Sequence, residues 1–184
     1  MSQKYIHLFE SFEEEFAKEI KYANLATKSF DQMQEIFTEK ITAYRIDFEE
    51  IQDLIDLRLV QIDGRDKKGM AAIHYAATKN IPKLARMLIE ADVDLDIQTK
   101  NDGKTALHIA VKKGYPILSL FVKSKANLNI QDDKGNTPLF YAPDLRIGLY
   151  LIENGADTTI QNNEGKTAID SNYYLERHFE KNED

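Results

Sequence analysis

The chain of 184 residues has no cysteine, so no disulfide braces it and no thiol serves as nucleophile or metal ligand, a composition suited to a reducing compartment. It has no apolar run approaching the ~18 residues of a membrane span, and residues 1–30 lack the basic start and apolar core of a secretory signal. A soluble, cytoplasmic protein is expected, with no membrane contact. Positive charge is also in short supply: 24 Lys and Arg stand against 31 Asp and Glu, net −7, which argues against general nucleic-acid affinity. The deficit is local. Residues 1–60 hold 7 basic and 13 acidic side chains, whereas residues 61–184 hold 17 and 18.

Glycine is sparse as well, yet four of the eight glycines mark a period. Gly69, Gly103, Gly135 and Gly165 are 34, 32 and 30 residues apart. Each is followed by a related string: Ala71-Ala72-Ile73-His74-Tyr75-Ala76, Thr105-Ala106-Leu107-His108-Ile109-Ala110, Thr137-Pro138-Leu139-Phe140-Tyr141-Ala142 and Thr167-Ala168-Ile169-Asp170. The ends of the units recur too, as Leu95-Asp96-Ile97-Gln98, Leu128-Asn129-Ile130-Gln131 and Thr158-Thr159-Ile160-Gln161.

A turn ending in Gly, a T-P-L-H-x-A-like helix start, a second apolar helix and an extended exit resemble the ankyrin repeat, whose period is ~33 residues. The resemblance covers roughly residues 44–175 and implies an all-α ankyrin-repeat solenoid of helix-turn-helix units with β-hairpin fingers, capped by N-terminal helices. The expected divisions are an N-terminal helical cap at 1–43, a degenerate half repeat at 44–65, repeats at 66–99, 100–131 and a shortened 132–161, a C-terminal partial repeat at 162–180, and a mobile tail at 181–184. In the cap, Phe9, Phe12, Phe16 and Ile20 form one apolar stripe, and Phe30, Met33, Ile36 or Phe37, and Ile41 a second, so two helices are expected. Thr27, Ser29 and Asp31 supply helix-starting oxygens between them. Phe48, Ile51, Leu54, Ile55 and Leu59 form the apolar face of the half repeat's helix.

Three departures from the repeat pattern carry expectations. Asp92 and Lys125 stand where a left-handed Gly usually ends the second helix, leaving Gly155 alone in that role, so strain or a different cap is expected at the first two exits. Pro143 directly after Ala142 limits the third unit's first helix to about one turn. Beyond Ile169, a closing helix is expected with Tyr173, Tyr174 and Leu175 packing inward and Glu176, Arg177 and Glu180 outward.

Motifs suggesting chemistry fail on spacing. Asp92-Val93-Asp94-Leu95-Asp96 alternates carboxylates like a calcium loop, but Ile97 and Gly103 occupy the positions needing Gly and Glu. Gly103-Lys104-Thr105 and Gly165-Lys166-Thr167 lack the leading Gly of a phosphate loop. His74 and His108 read as structural histidines that bond turn backbone, and His7 and His178 complete no ligand spacing. No catalytic residue, cofactor or metal is expected.

The resemblance implies a concave protein-binding face on finger tips and first helices: Lys67, Lys68, Met70, Thr78 and Lys79, then Asn101, Asp102, Lys104, Lys112 and Lys113, then Asp133, Lys134 and Asn136. Its lysines favour a partner protein with an acidic patch. The expected role is a non-catalytic adaptor, scaffold or inhibitor; the alternative is a bacterial effector or enzyme-targeting protein acting through the N-terminal helices. The acidic end Glu180-Lys181-Asn182-Glu183-Asp184 resembles the export signals of effectors delivered into host cytosol, and equally a frayed polar terminus.

Overall fold

A computed structural model describes residues 28–43, 45–56 and 58–180. The first expected helix of the cap and the tail 181–184 lie outside them. Nine α-helices are described: α1 Phe30–Thr42, α2 Phe48–Asp56, α3 Ala72–Thr78, α4 Pro82–Glu90, α5 Ala106–Ala110, α6 Tyr115–Lys123, α7 Leu145–Glu153, α8 Ala168–Ser171 and α9 Tyr173–Glu180. One 3-10 turn, Pro138–Tyr141, stands between α6 and α7. There is no strand among the described residues.

The helices form two rows. An inner row runs α1, α3, α5, the 3-10 turn and α8, each packed on the next. Outer helices back them: α2 behind α1, α4 behind α3, α6 behind α5, α7 behind the turn and α9 beside α8. The core is a single seam between the rows, because each unit buries one apolar side of its helix pair and leaves a second to its neighbour. Ala71, Ala76, Ala106 and Ala110 are wholly buried there, small enough to bring inner helices close, and Leu84, Leu88, Leu118, Phe121 and Leu151 fill the outer side.

α1 starts with a reciprocal cap: the Ser29 hydroxyl accepts from the Gln32 amide at 3.3 Å, and the Gln32 side chain accepts from the Ser29 amide at 2.9 Å. Met33, Phe37 and Ile41 are buried as its apolar stripe requires. Asp47 accepts from the amides of Glu49 and Glu50 and starts α2, whose Ile51, Leu54 and Ile55 are buried. α1 therefore occupies the inner-row position in front of α2, and the two form a pair like those that follow.

The third unit's first helix is the 3-10 turn, and the chain reaches α7 after only Pro143 and Asp144. Asp144 caps α7 through the Ile147 amide. Asp92 and Lys125 adopt φ of 64° and 68°, the left-handed backbone expected from their places, while Gly155 takes the same role at 103°. The C-terminal helix differs from expectation in one respect. Leu175 is buried, but Tyr173 and Tyr174 are 60% and 50% exposed. At 8 residues α9 has one inward stripe, and Leu175 and Phe179 occupy it at i and i+4, turning both tyrosines to solvent.

Candidate functional site

Each unit reaches its inner helix through a finger, and the fingers are built alike. In the first, Asp66 accepts from the amides of Lys68 and Met70 with one oxygen and from the Tyr75 hydroxyl with the other. In the third, Asp132 does the same for Lys134, Asn136 and Tyr141. Burial opposes the Asp66 charge, but the hydroxyl and the two amides more than offset it and hold the carboxyl below its ordinary value. Tyr75 and Tyr141 are pushed upward by burial and by their carboxylate partners. This Asp-Tyr pairing was not read from the sequence, although its signal is plain: the same nine-residue offset separates Asp66 from Tyr75 and Asp132 from Tyr141.

Fingers stack on one another. The Lys100 amide donates to Gly69, Asp133 to Asp102 and Asn163 to Lys134, at 3.1, 3.1 and 3.0 Å. Side chains repeat the link, Asn101 to the Lys68 carbonyl and Asn163 to the Asp133 carbonyl. Glycine is required at the tips for space as well as for φ: a Cβ on Gly69, Gly103 or Gly135 would lie 3.0, 2.9 or 2.7 Å from the next finger's amide nitrogen. Farther in, Asp63, Asp96 and Asn129 each accept from an amide one unit on, at Asp94, Asn127 and Asp157. At the corresponding amide of the half repeat, Gln61, the acceptor among the described residues is not a finger side chain. The Gln34 side chain of α1 takes that place, accepting from Gln61 N–H at 3.1 Å and donating to Gln61 C=O at 3.0 Å.

His74 and His108 link the same units. Nδ1 of His74 accepts from the Ala71 amide and its Nε2 faces the Lys104 carbonyl at 3.1 Å; Nδ1 of His108 meets Thr105 and its Nε2 the Asn136 carbonyl at 3.0 Å. Both rings are buried, and they hold turn backbone as expected. In unit three Phe140 stands in the histidine's place, and the buried Thr137 hydroxyl consequently has no partner.

These ladders consume most polar groups of the fingers, and what remains on the inner side is the candidate face. Lys68, Thr78, Lys112, Lys113, Lys134 and Asp133 are exposed there, with Met70 and Asn136 half-buried. Asn101 and the Asp102 backbone belong to the finger stack, and Asn136 is shared between Asp132, Tyr141 and Asn162. The structure divides the lysines further. Lys79 is occupied, its ammonium donating to the carbonyls of Thr42 and Ala43 at the C-terminal end of α1. Lys67 pairs with Glu35 of α1 across a cleft of about 650 Å³ whose walls include Glu39, Arg65 and Lys68. Lys104 pairs with Asp102, which raises the lysine's pKa. Among the described residues Lys112 and Lys113 have no carboxylate partner, and Lys112 lies over the Tyr141 ring at 4.3 Å. Sequence reasoning grouped all these lysines; α1 separates them, and nothing in the repeat period encodes where α1 lies.

Among the described residues no group of three or more His, Asp or Glu is placed to hold a metal ion, and no helix is long and apolar enough to cross a membrane.

Comparison with known proteins agrees with this architecture. A family model described as ankyrin repeats (3 copies) matches residues 93–162, and one described as ankyrin repeat matches residues 68–100. The Nuclear factor NF-kappa-B p105 subunit of Gallus gallus is 32% identical over 106 residues, 55% of this chain and 11% of that protein. Alpha-latrotoxin-Lhe1a of Latrodectus hesperus is 31% identical over 99 residues, 53% of this chain and 7% of the toxin. Ankyrin repeat-containing protein P1E11.10 of Schizosaccharomyces pombe is 41% identical over 69 residues, 36% of this chain and 33% of that protein. The chain thus covers a third or less of these relatives, and the likeness is to their repeats.

Proposed function

Since the chain belongs to the ankyrin repeat family, whose repeats generally mediate protein–protein interaction, we propose that it is a non-catalytic binding module that holds an acidic patch of another protein on its inner face. The observation that carries this reading is the division of labour among polar groups. Finger stacking, histidine links and α1 docking occupy Asn101, His74, His108 and Lys79, yet Lys68 and Lys134 on the fingers and Lys112 and Lys113 just past α5 stay exposed. Nothing in the packing of the repeats calls for charge there. Acidic α1 residues at one edge, Asp31, Glu35 and Glu39, set the limit of the basic region and orient a partner along the row. An adaptor or inhibitor of another protein is the role this surface supports.

The test is affinity capture with the full chain, followed by association kinetics against the captured protein. Reversing Lys112, Lys113 and Lys134 to Glu should slow association by about tenfold at low salt, with the difference narrowing as salt rises. The outer-row reversal of Lys123 and Lys125 should leave it unchanged. Equal effects from both sets would remove the inner face from the interface.

A further inference from the structure

Building on that inner-face reading, we infer that the step between units two and three is the anchor of the interface and takes a carboxylate side chain from an acidic segment of the partner protein. In units one and two the chain continues past the buried Ala76 and Ala110 through Ala77 to Ile81 and Val111 to Gly114 before the outer helix begins; in unit three only Pro143 and Asp144 follow Ala142. The inner row is thus shortened after α5, which makes a step there. Tyr141 is the last residue of the shortened element.

That ring is held from three sides. Its hydroxyl donates to Asp132, the Asn136 amide reaches the same oxygen at 3.3 Å, and the His108 ring meets it edge-on at 6.0 Å. Two ammonium groups of unit two lie over it, Lys112 at 4.3 Å and Lys104 at 5.6 Å. Asp102 answers the Lys104 charge, whereas Lys112 and its neighbour Lys113 are exposed and pair with no carboxylate among the described residues. A ring under a lysine head restrains it without neutralising it, so part of the ordering cost of binding an anion is met before the partner arrives. Finger carboxylates Asp102 and Asp132 stand close by, against the ammonium groups of Lys104, Lys112 and Lys113, which leaves the step a small, localised positive charge. That suits a single carboxylate side chain. It falls short of the repeated positive charge that a nucleic-acid backbone or an anionic lipid surface requires.

The experiment is titration of the isotope-labelled full chain, followed by amide chemical shifts, with a capped peptide alternating Glu and Ser. A peptide with Gln in place of Glu, a thymidine oligonucleotide and phosphatidylserine vesicles serve as comparators. The Glu peptide alone should shift the amides around Tyr141, Lys112 and Lys113, and Lys112→Gln should weaken it about fivefold. Lys123→Gln should leave its affinity unchanged. Tyr141→Phe keeps the ring and should keep the response at Lys112. Shifts that are equal with the Gln peptide, that centre on other lysines, or that are larger with oligonucleotide or vesicles would overturn the assignment. Failure of the inner-face reading looks different: the captured partner would ignore the triple reversal. Failure of the anchor alone would leave a partner sensitive to that reversal but indifferent to Lys112→Gln.

Discussion

A histidine that accepts from its own turn and donates to the next unit is a link between neighbours, and its removal strands a buried amide and takes one of two donors from a part-buried carbonyl. His108→Ala should therefore cost about 1–2 kcal/mol, measured by urea unfolding. Burial disfavours the charged imidazole and holds the pKa of both His74 and His108 below the ordinary 6.5, with the Lys104 and Asn136 carbonyls pulling the other way. The unfolded chain thus binds protons that the folded chain refuses. Their contribution is complete above pH 6.5 and is lost as pH falls below it, so the urea midpoint should drop from neutral to mildly acidic buffer. His108→Gln should flatten that drop. Unit three offers the converse test, because Phe140 leaves the Thr137 hydroxyl unpaired. Phe140→His should supply the missing acceptor and raise stability by about 1 kcal/mol; a lower thermal midpoint would show that the packing of Phe140 outweighs the lost bond.

At the scale of the element, helix ends decide most of what is particular to this chain. α4 and α6 end in left-handed Asp92 and Lys125, a conformation that costs a side chain roughly 1–2 kcal/mol and glycine almost nothing. Asp92→Gly or Lys125→Gly should stabilise by about 0.5–1 kcal/mol once the greater freedom of glycine in the unfolded chain is counted. Calorimetry of the single and double variants would show it, and the two should add because the sites lie in different units. The carboxyl end of α1 shows the opposite case. Lys79 places its ammonium on the carbonyls of Thr42 and Ala43, where a helix end carries partial negative charge. Lys79→Gln should cost about 0.5–1 kcal/mol of stability and leave partner binding intact, the reverse of the pattern expected for Lys112→Gln.

The whole molecule is held by nearest neighbours, so its ends matter more than its middle. α1 packs in front of α3, filling the seam with Met33, Phe37 and Ile41 and supplying Gln34 where later units supply a finger side chain. Phe37→Ala should cost about 3–5 kcal/mol, because it empties a fully buried site beside unit one. Amide exchange should show where that loss falls. Protection should be greatest in α5 and α6, which have neighbours on both sides, and the variant should open α2 and α3 before it affects them.

Much of this was legible in the residues themselves, and the rest was not, for a physical reason. Recurrence of Gly69, Gly103, Gly135 and Gly165 with their helix starts determined the units, since all four turns are left-handed and a stacked finger leaves no room for a side chain at the first three. Pro143 determined the short third helix, and the apolar spacing in residues 30–41 determined α1, because these are constraints of local backbone and periodicity. Which helix face Tyr173 and Tyr174 took was decided by packing, as Leu175 and Phe179 filled the one inward stripe. The division of the lysines was likewise a tertiary outcome. Lys79 and Lys112 look alike in sequence, and only the placement of the end of α1 beside one and the Tyr141 ring beneath the other decides which charge is used in folding and which is left for a partner. A charge becomes structural or functional according to what stands within a few ångströms of it, and that distance is set by elements far apart along the chain.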